Sequence, residues 1–327
     1  MIEKPDRREF LKSGLVATAA AVAAGTVGGI FSPGKSFGAE MPDLVVSHGL
    51  DPAAITRAAV DALGGIKRFV KPGNKVVIKP NMSFASGPER ASNTHPAVVS
   101  EVARMCAEAG ASRIAVLDHV LNEPRACLKL SKIPEACLNV PNTTVSTVEA
   151  KRLYREVQVP QGRQFKTMEA VSDVLDADVL IAIPKGKSHS SSGVSLSMKG
   201  MMGLIKDRIS FHSRYSLHEA IVDMVTVLKP HLVVIDGTHI LSSGGPGGPG
   251  TVIPLNLVVA STDMVAADAQ MVALGTWYGK KFVPDQVRHI RIAAERGLGR
   301  MDIDKLKVQN IKSVSYTHLT LPTTERV

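Results

Sequence analysis

Cysteine is scarce in this chain. Cys106, Cys127 and Cys137 are the three in 327 residues. Three thiols cannot build a four-thiolate cluster, and none of them forms a close-spaced ligand pair, so the cysteines do not support an iron–sulfur cofactor. Cys106 falls in an apolar helical pattern and reads as core. Cys127 and Cys137 stand ten residues apart and are open to disulfide pairing in an oxidising compartment. Aromatic residues are also few, at eight Phe, four Tyr and one Trp, and no basic stripe interleaves with them. That argues against a nucleic-acid partner. No internal repeat or heptad pattern is visible, and the Gly-x4-Gly-Lys-[Ser/Thr] spacing of a P-loop is missing.

The N-terminal segment has the layout of an export signal. It reads Asp6-Arg7-Arg8-Glu9-Phe10-Leu11-Lys12, and residues 13–30 are uncharged and mostly Ala, Gly and Val. Paired arginines followed by a weakly apolar run are what the twin-arginine translocase reads, whereas a membrane-spanning helix needs about 20 strongly apolar residues. Residues 1–38 are therefore expected to be a twin-arginine signal peptide. The translocase is then a partner, the destination periplasmic or otherwise exported, and no stable membrane span is expected after cleavage. Residues 313–327 resemble a translated sequencing adapter and are expected to lie outside the natural domain.

Residues 39–312 suffice for one large α/β domain or two small ones with a substantial core. The chain carries 39 basic and 30 acidic residues, a net charge of +9. Residues 1–38 hold five basic and three acidic side chains, so the remainder carries +7 and favours anionic ligands. Asp51-Pro52 is a cap followed by proline at the first helical position. From there, helical and apolar strand-like runs alternate. Helices are expected over 52–69, 96–108, 217–228, from 263 to about 274, and over 284–296. Strands are expected over 75–79, 113–117, 178–183, 231–235, 254–260 and 305–311. This alternation predicts a mostly parallel sheet with helices on both faces. Residues 121–170 interrupt it and are expected to form an insertion or small subdomain.

In such folds the ligand crevice lies beyond the carboxyl ends of the strands. The polar signals collect there. Strand 75–79 delivers Lys79 and Asn81, strand 113–117 Asp118 and His119, strand 178–183 Lys185, Lys187 and His189, and strand 231–235 Asp236 and His239. Lys199 follows in a Ser-rich stretch, read as a loop leading into a helical run. Lys79, Asn81, Lys185 and Lys199 are candidate ligand-binding residues, as are Gly245, Gly247 and Gly248, where the missing side chain allows close backbone approach. Lys187, His189 and Asp236 are the candidate catalytic groups. His189, His239 and Asp236 form an alternative set of divalent-metal ligands. His212 and His218 read as surface or helix-start residues.

At these residues the chain resembles the domain-of-unknown-function 362 family. The matching pieces are Val77-Ile78-Lys79-Pro80-Asn81, Lys185-x-Lys187-x-His189 continuing to Ser197-Met198-Lys199-Gly200-Met201-Met202-Gly203, and Val234-Ile235-Asp236-Gly237 with the Gly/Pro loop after it. Ala260-Ser261-Thr262-Asp263 with Ala266-Ala267-Asp268 completes the set. The resemblance implies a family without an activity. Some relatives carry a ferredoxin-like cysteine module that this chain lacks, and Gly200 stands where the family usually has asparagine. Three readings stay open: an exported enzyme or enzyme-like protein acting on a small anion, a metal-handling or redox protein loaded before export, and a non-catalytic periplasmic binding protein.

Overall fold

The computed structural model describes residues 41–312. The expected signal peptide and adapter-like tail lie outside the described residues. In chain order the strands are β1 (Leu44–His48), β2 (Lys75–Pro80), β3 (Arg113–Asp118), β4 (Thr143–Thr147), β5 (Tyr154–Gln158), β6 (Thr167–Val171), β7 (Val179–Ile183), β8 (Lys185–His189), β9 (Gly193–Ser195), β10 (Leu232–Leu241), β11 (Val252–Ser261) and β12 (Val308–Lys312). Ten of them form one sheet in the order β12-β1-β11-β10-β7-β2-β3-β4, with β8 paired to β10 and β9 to β8. The block β10-β7-β2-β3-β4 is parallel throughout. Strands β5 and β6 form a separate antiparallel pair.

The central strands are buried on both faces, which is why their sequences are continuous apolar runs. Side chains alternate across the pleat: Val77, Leu180 and Val233 enter one core, while Val76, Ile78, Ile181 and Val234 enter the other. Helices Pro52–Ala62 and Pro96–Glu108 cover the second core, and helices Leu217–Val225, Met264–Leu274 and Arg288–Glu295 the first. Their starts follow from the sequence. Asp51 accepts the N–H groups of Ala53 and Ala54 at 2.9 and 3.2 Å, and Asp263 those of Val265 and Ala266 at 2.8 and 3.1 Å.

Several expectations change. Residues 185–189 form a strand, not a loop. Pro184 ends β7, and the Lys185 N–H then donates to Asn81 Oδ1 at 2.9 Å. The chain resumes pairing along the far half of β10, with Asp236 opposite Lys185 and Leu241 opposite Lys187, and returns through β9. Strand β11 runs antiparallel to both β10 and β1. The ten residues between β10 and β11 suit a hairpin, whereas a parallel crossover needs a dozen or more. Within 121–170, β4 joins the main sheet beside β3, so only the β5–β6 pair stands apart. All three cysteines are free and buried, and Cys127 Sγ donates to the Ser83 carbonyl at 3.4 Å.

Candidate functional site

The ends of β2 and β3, the body of β8 and the short helix Ser197–Gly200 surround one cavity of about 550 Å³. Lys79, Asn81, Lys187, His189 and Lys199 all line it, together with Asp118 and His119. Phe84, Leu121, Met202, Ile209 and Pro246 add apolar wall. Parallel strand ends thus bring together residues separated by more than a hundred positions in sequence.

Each buried lysine has its own surroundings. The Lys79 ammonium lies 3.0 Å from Asp118 Oδ1 and donates to the Pro80 carbonyl. Burial holds its pKa below the ordinary lysine value despite the attraction of Asp118. The other Asp118 oxygen accepts the Met82 N–H at 2.9 Å and the Ser83 hydroxyl at 2.7 Å. Gly203 packs on this pair, where a Cβ would fall 2.0 Å from Asp118 Oδ1 and 2.9 Å from Lys79 Nζ. Lys187 is 3 % exposed. Its Nζ donates to the Ser92 carbonyl at 2.6 Å and stands 4.8 Å from the centre of the Phe84 ring. The short helix that carries Lys199 is anchored at its first two residues, Ser197 and Met198, whose N–H groups are accepted by Asp268 at 2.8 and 3.0 Å. Burial pushes Asp268 up to about 7 against these donors.

Burial lowers Lys187 to about 7 against the attraction of Asp118, with Lys79, Lys199 and Lys185 adding to the fall, and burial with Arg208 lowers Lys199 to about 8. Among the described residues neither has a carboxylate within ion-pair distance. Arg208 has none either, since its guanidinium donates to the His119 and Val120 carbonyls at 2.8 and 3.1 Å. Lys206, also in the wall, is neutralised by Glu169 at 2.6 Å.

His189 Nδ1 accepts the Ser191 N–H at 3.1 Å. Burial and then Lys199 hold its pKa at about 3, so the ring is neutral. A neutral imidazole that accepts at Nδ1 carries its proton at Nε2. His189 therefore offers an N–H donor and not a base. His212 stacks on it with ring centres 6.0 Å apart and lines the cavity. His212 is exposed, as expected of a surface or helix-start residue, and it also lines the cavity mouth; Lys206 and Arg208 are wall residues that the sequence motifs did not single out. The pair Lys206-x-Arg208, directly after the Met-Met-Gly run, was the available signal. His289, buried behind this cluster and stacked on His218 at 5.6 Å, has no motif to mark it.

Other candidates go elsewhere. Lys185 and Asp236 form a buried pair at 2.8 Å outside the cavity lining. Asp236 also accepts the His95 N–H at 2.6 Å and both the N–H and the hydroxyl of Thr238 at 3.0 and 2.7 Å, so its oxygens are occupied. Burial raises its pKa, but Lys185 and these donors outweigh burial and hold the carboxyl below its usual range. The pair locks β10 to β8 and to the start of helix Pro96–Glu108. His239 is exposed. His189, His239 and Asp236 consequently do not form a metal-ligand set, and among the described residues no three His, Cys, Asp or Glu side chains converge as one. Of the loop glycines, Gly245 abuts backbone: its N–H donates to Ser188 Oγ at 3.0 Å, and a Cβ there would lie 1.9 Å from the Ser188 carbonyl oxygen. Gly247 lies against the Phe84 ring, and Gly248 adopts φ +78°. The loop reaches the cavity through Pro246.

The family model described as a domain of unknown function, DUF362, matches residues 76–273. The chain belongs to the DUF362 family. The matched region contains every cavity residue named above. By sequence the chain is similar to a thylakoid-associated protein of Synechocystis sp., 26% identical over 224 residues, which are 66% of this chain and 67% of that protein. Two solved structures are similar at lower levels. The lactate racemase apoprotein from Thermoanaerobacterium thermosaccharolyticum has a TM-score of 0.47 at 11% identity, covering 73% of this chain and 59% of its own. A protein from Thermotoga maritima has a TM-score of 0.44 at 12% identity, covering 76% and 60%. This DUF362 chain thus spans about 60% of the length of those two structures. Among its described residues no helix is long and apolar enough to cross a membrane.

Proposed function

We propose that this DUF362 protein is an exported, enzyme-like protein that binds a small carboxylate or phosphate in the cavity between the strand ends. The observation that carries this reading is a charge imbalance. Among the described residues, Lys187, Lys199 and Arg208 line the cavity without carboxylate partners, and the one acid in the wall, Asp118, is engaged by Lys79. Buried cations without counter-charges are unfavourable, and an anion supplies what they lack. The neutral His189, donating from Nε2, adds a directional hydrogen bond, and Asn81 adds an amide. The apolar wall of Phe84, Met202 and Pro246 keeps the local dielectric low, which strengthens each of these interactions.

Thermal unfolding across acetate, propionate and phosphate tests the reading, since a ligand that binds only the folded state adds RT ln(1 + [L]/Kd) to stability. At least one anion is expected to raise the midpoint, and Lys199→Ala is expected to weaken that response. If no anion shifts the wild-type midpoint, or if the response is unchanged in Lys199→Ala, the cavity is not an anion site.

A further inference from the structure

Four lysines are buried around or behind the cavity, and they are not equivalent. Lys79 is paired with Asp118 and Lys185 with Asp236. Lys187 has one neutral acceptor, the Ser92 carbonyl, and Lys199 has no hydrogen-bond or ion-pair partner among the described residues. Burial disfavours the Lys187 ammonium most; Asp118 favours it, and the positive charges of Lys79, Lys199 and Lys185 disfavour it. Lys199 is flanked by Arg208. Of the two lysines without a carboxylate partner, Lys187 is buried against a neutral acceptor with further cations around it, which favours its neutral amine. A desolvated amine next to a second cation is the arrangement that produces a nucleophilic lysine near neutral pH.

The rest of the wall completes the chemistry. The Ser92 carbonyl takes one amine hydrogen, the Phe84 ring lies against Nζ, and Lys187 lines the cavity. His189 lies two residues along β8 and lines the same cavity, with its ring proton on Nε2. A donor there suits an oxygen on which negative charge develops.

We propose that Lys187 captures the carbonyl carbon of a 2-oxo acid or aldehyde acid as an imine, with Lys199 holding the carboxylate. This rests on the anion-binding reading above and adds the ligand class and a covalent step. The Nζ lone pair forms a C–N bond while the carbonyl π pair moves onto oxygen, where the His189 N–H stabilises it. That oxygen gains a proton, and the nitrogen loses one. A second proton on the hydroxyl expels water as the nitrogen's remaining N–H proton leaves and its lone pair closes the C=N bond. Amine plus carbonyl give imine plus water, with no oxidant or reductant consumed.

The test is reductive trapping with pyruvate. The chain is incubated with pyruvate at neutral pH, with and without sodium borohydride, and analysed by intact mass and peptide mapping. The expected result is a mass increase of one reduced pyruvate, dependent on borohydride, on the peptide containing Lys187, and its loss in Lys187→Arg. The map of the wild-type chain decides the assignment whether or not that variant folds. An adduct on Lys199, or one scattered over exposed lysines, overturns the proposal. Propionate, which has a carboxylate but no carbonyl, separates the two levels. If propionate raises the unfolding midpoint but pyruvate leaves no adduct, the nucleophile assignment fails and the anion site stands. If pyruvate leaves no adduct and neither propionate nor any other anion in the panel shifts the midpoint, both fail.

Discussion

Asp268 Oδ1 accepts the backbone N–H of Ser197 at 2.8 Å, tying the helix Met264–Leu274 to the first residue of the short helix that carries Lys199. Its second oxygen takes the Met198 N–H. Two donors that a four-residue helix cannot satisfy internally are thus met by a side chain some seventy residues away. Asp268→Ala is expected to leave both unpaired, at about 1–3 kcal/mol each, and to weaken the response to anions as Lys199 loses its fixed position. Asp268→Asn, which keeps one acceptor oxygen, is expected to lose less. Urea unfolding and anion-dependent thermal shifts measure the two effects, and an Asp268→Ala protein as stable as wild type contradicts this role.

Lys187 makes stability depend on pH in a definite direction. Its pKa is lowered from 10.5 to about 7 on folding, so between these values the unfolded chain binds more protons than the folded one. Unfolding free energy then rises with pH across that window, and the contribution is lost as pH falls through about 7. Lys187→Met removes this dependence. The stability of the variant relative to wild type is expected to be greatest below pH 7 and to decline toward pH 10. Parallel urea titrations at several pH values check this, and a difference independent of pH refutes it.

The Lys185–Asp236 pair is a structural element in this fold. Asp236→Ala strands the Lys185 ammonium and the His95 N–H in the interior and is expected to cost about 3–5 kcal/mol. Replacing both, as Lys185→Met with Asp236→Leu, is expected to recover part of that loss. If Asp236→Ala is fully stable, the pair does not serve this purpose.

Gly203→Ala tests the packing of the cavity floor. The added methyl meets Asp118 Oδ1 and the end of Lys79, so the pair must separate or the short helical turn must shift. A loss of about 1–3 kcal/mol is expected, accompanied by a weaker response to anions. Retention of both properties would show that the floor yields at no cost.

Export is tested apart from the fold. Residues 1–40 joined to a reporter that folds in the cytoplasm are expected to carry it across the inner membrane. Replacing Arg7 and Arg8 by Lys is expected to stop that transfer. Transport that ignores the arginine pair would contradict the twin-arginine assignment.

Much of the candidate site was legible because parallel α/β folds place strand ends on one rim. Lys79, Asn81, Lys187, His189 and Lys199 were named from strand-end positions and the Ser-rich stretch between them, and they share the cavity. Family membership was readable from the same motifs. The chemical state of those residues was not. Lys185 and Lys187 stand two positions apart in one motif, yet one is ion-paired and the other has a single neutral acceptor. Lys187, His189 and Asp236 stood together as candidate catalytic groups, but the aspartate is occupied by His95, Lys185 and Thr238.

The sequence by itself determined the alternation of strands and helices, the order of the motifs and the family, because these depend on local periodicity, caps and short-range residue patterns. Only the tertiary structure decided that β11 runs antiparallel, that β8 continues past Pro184, that Arg208 and His212 enter the cavity, and that Asp118 is the acid opposite Lys79. The physical reason is that charge state and pairing are set by burial and by partners far away in the chain. Sequence spacing does not encode which buried charge will find its counter-charge and which will be left facing a ligand.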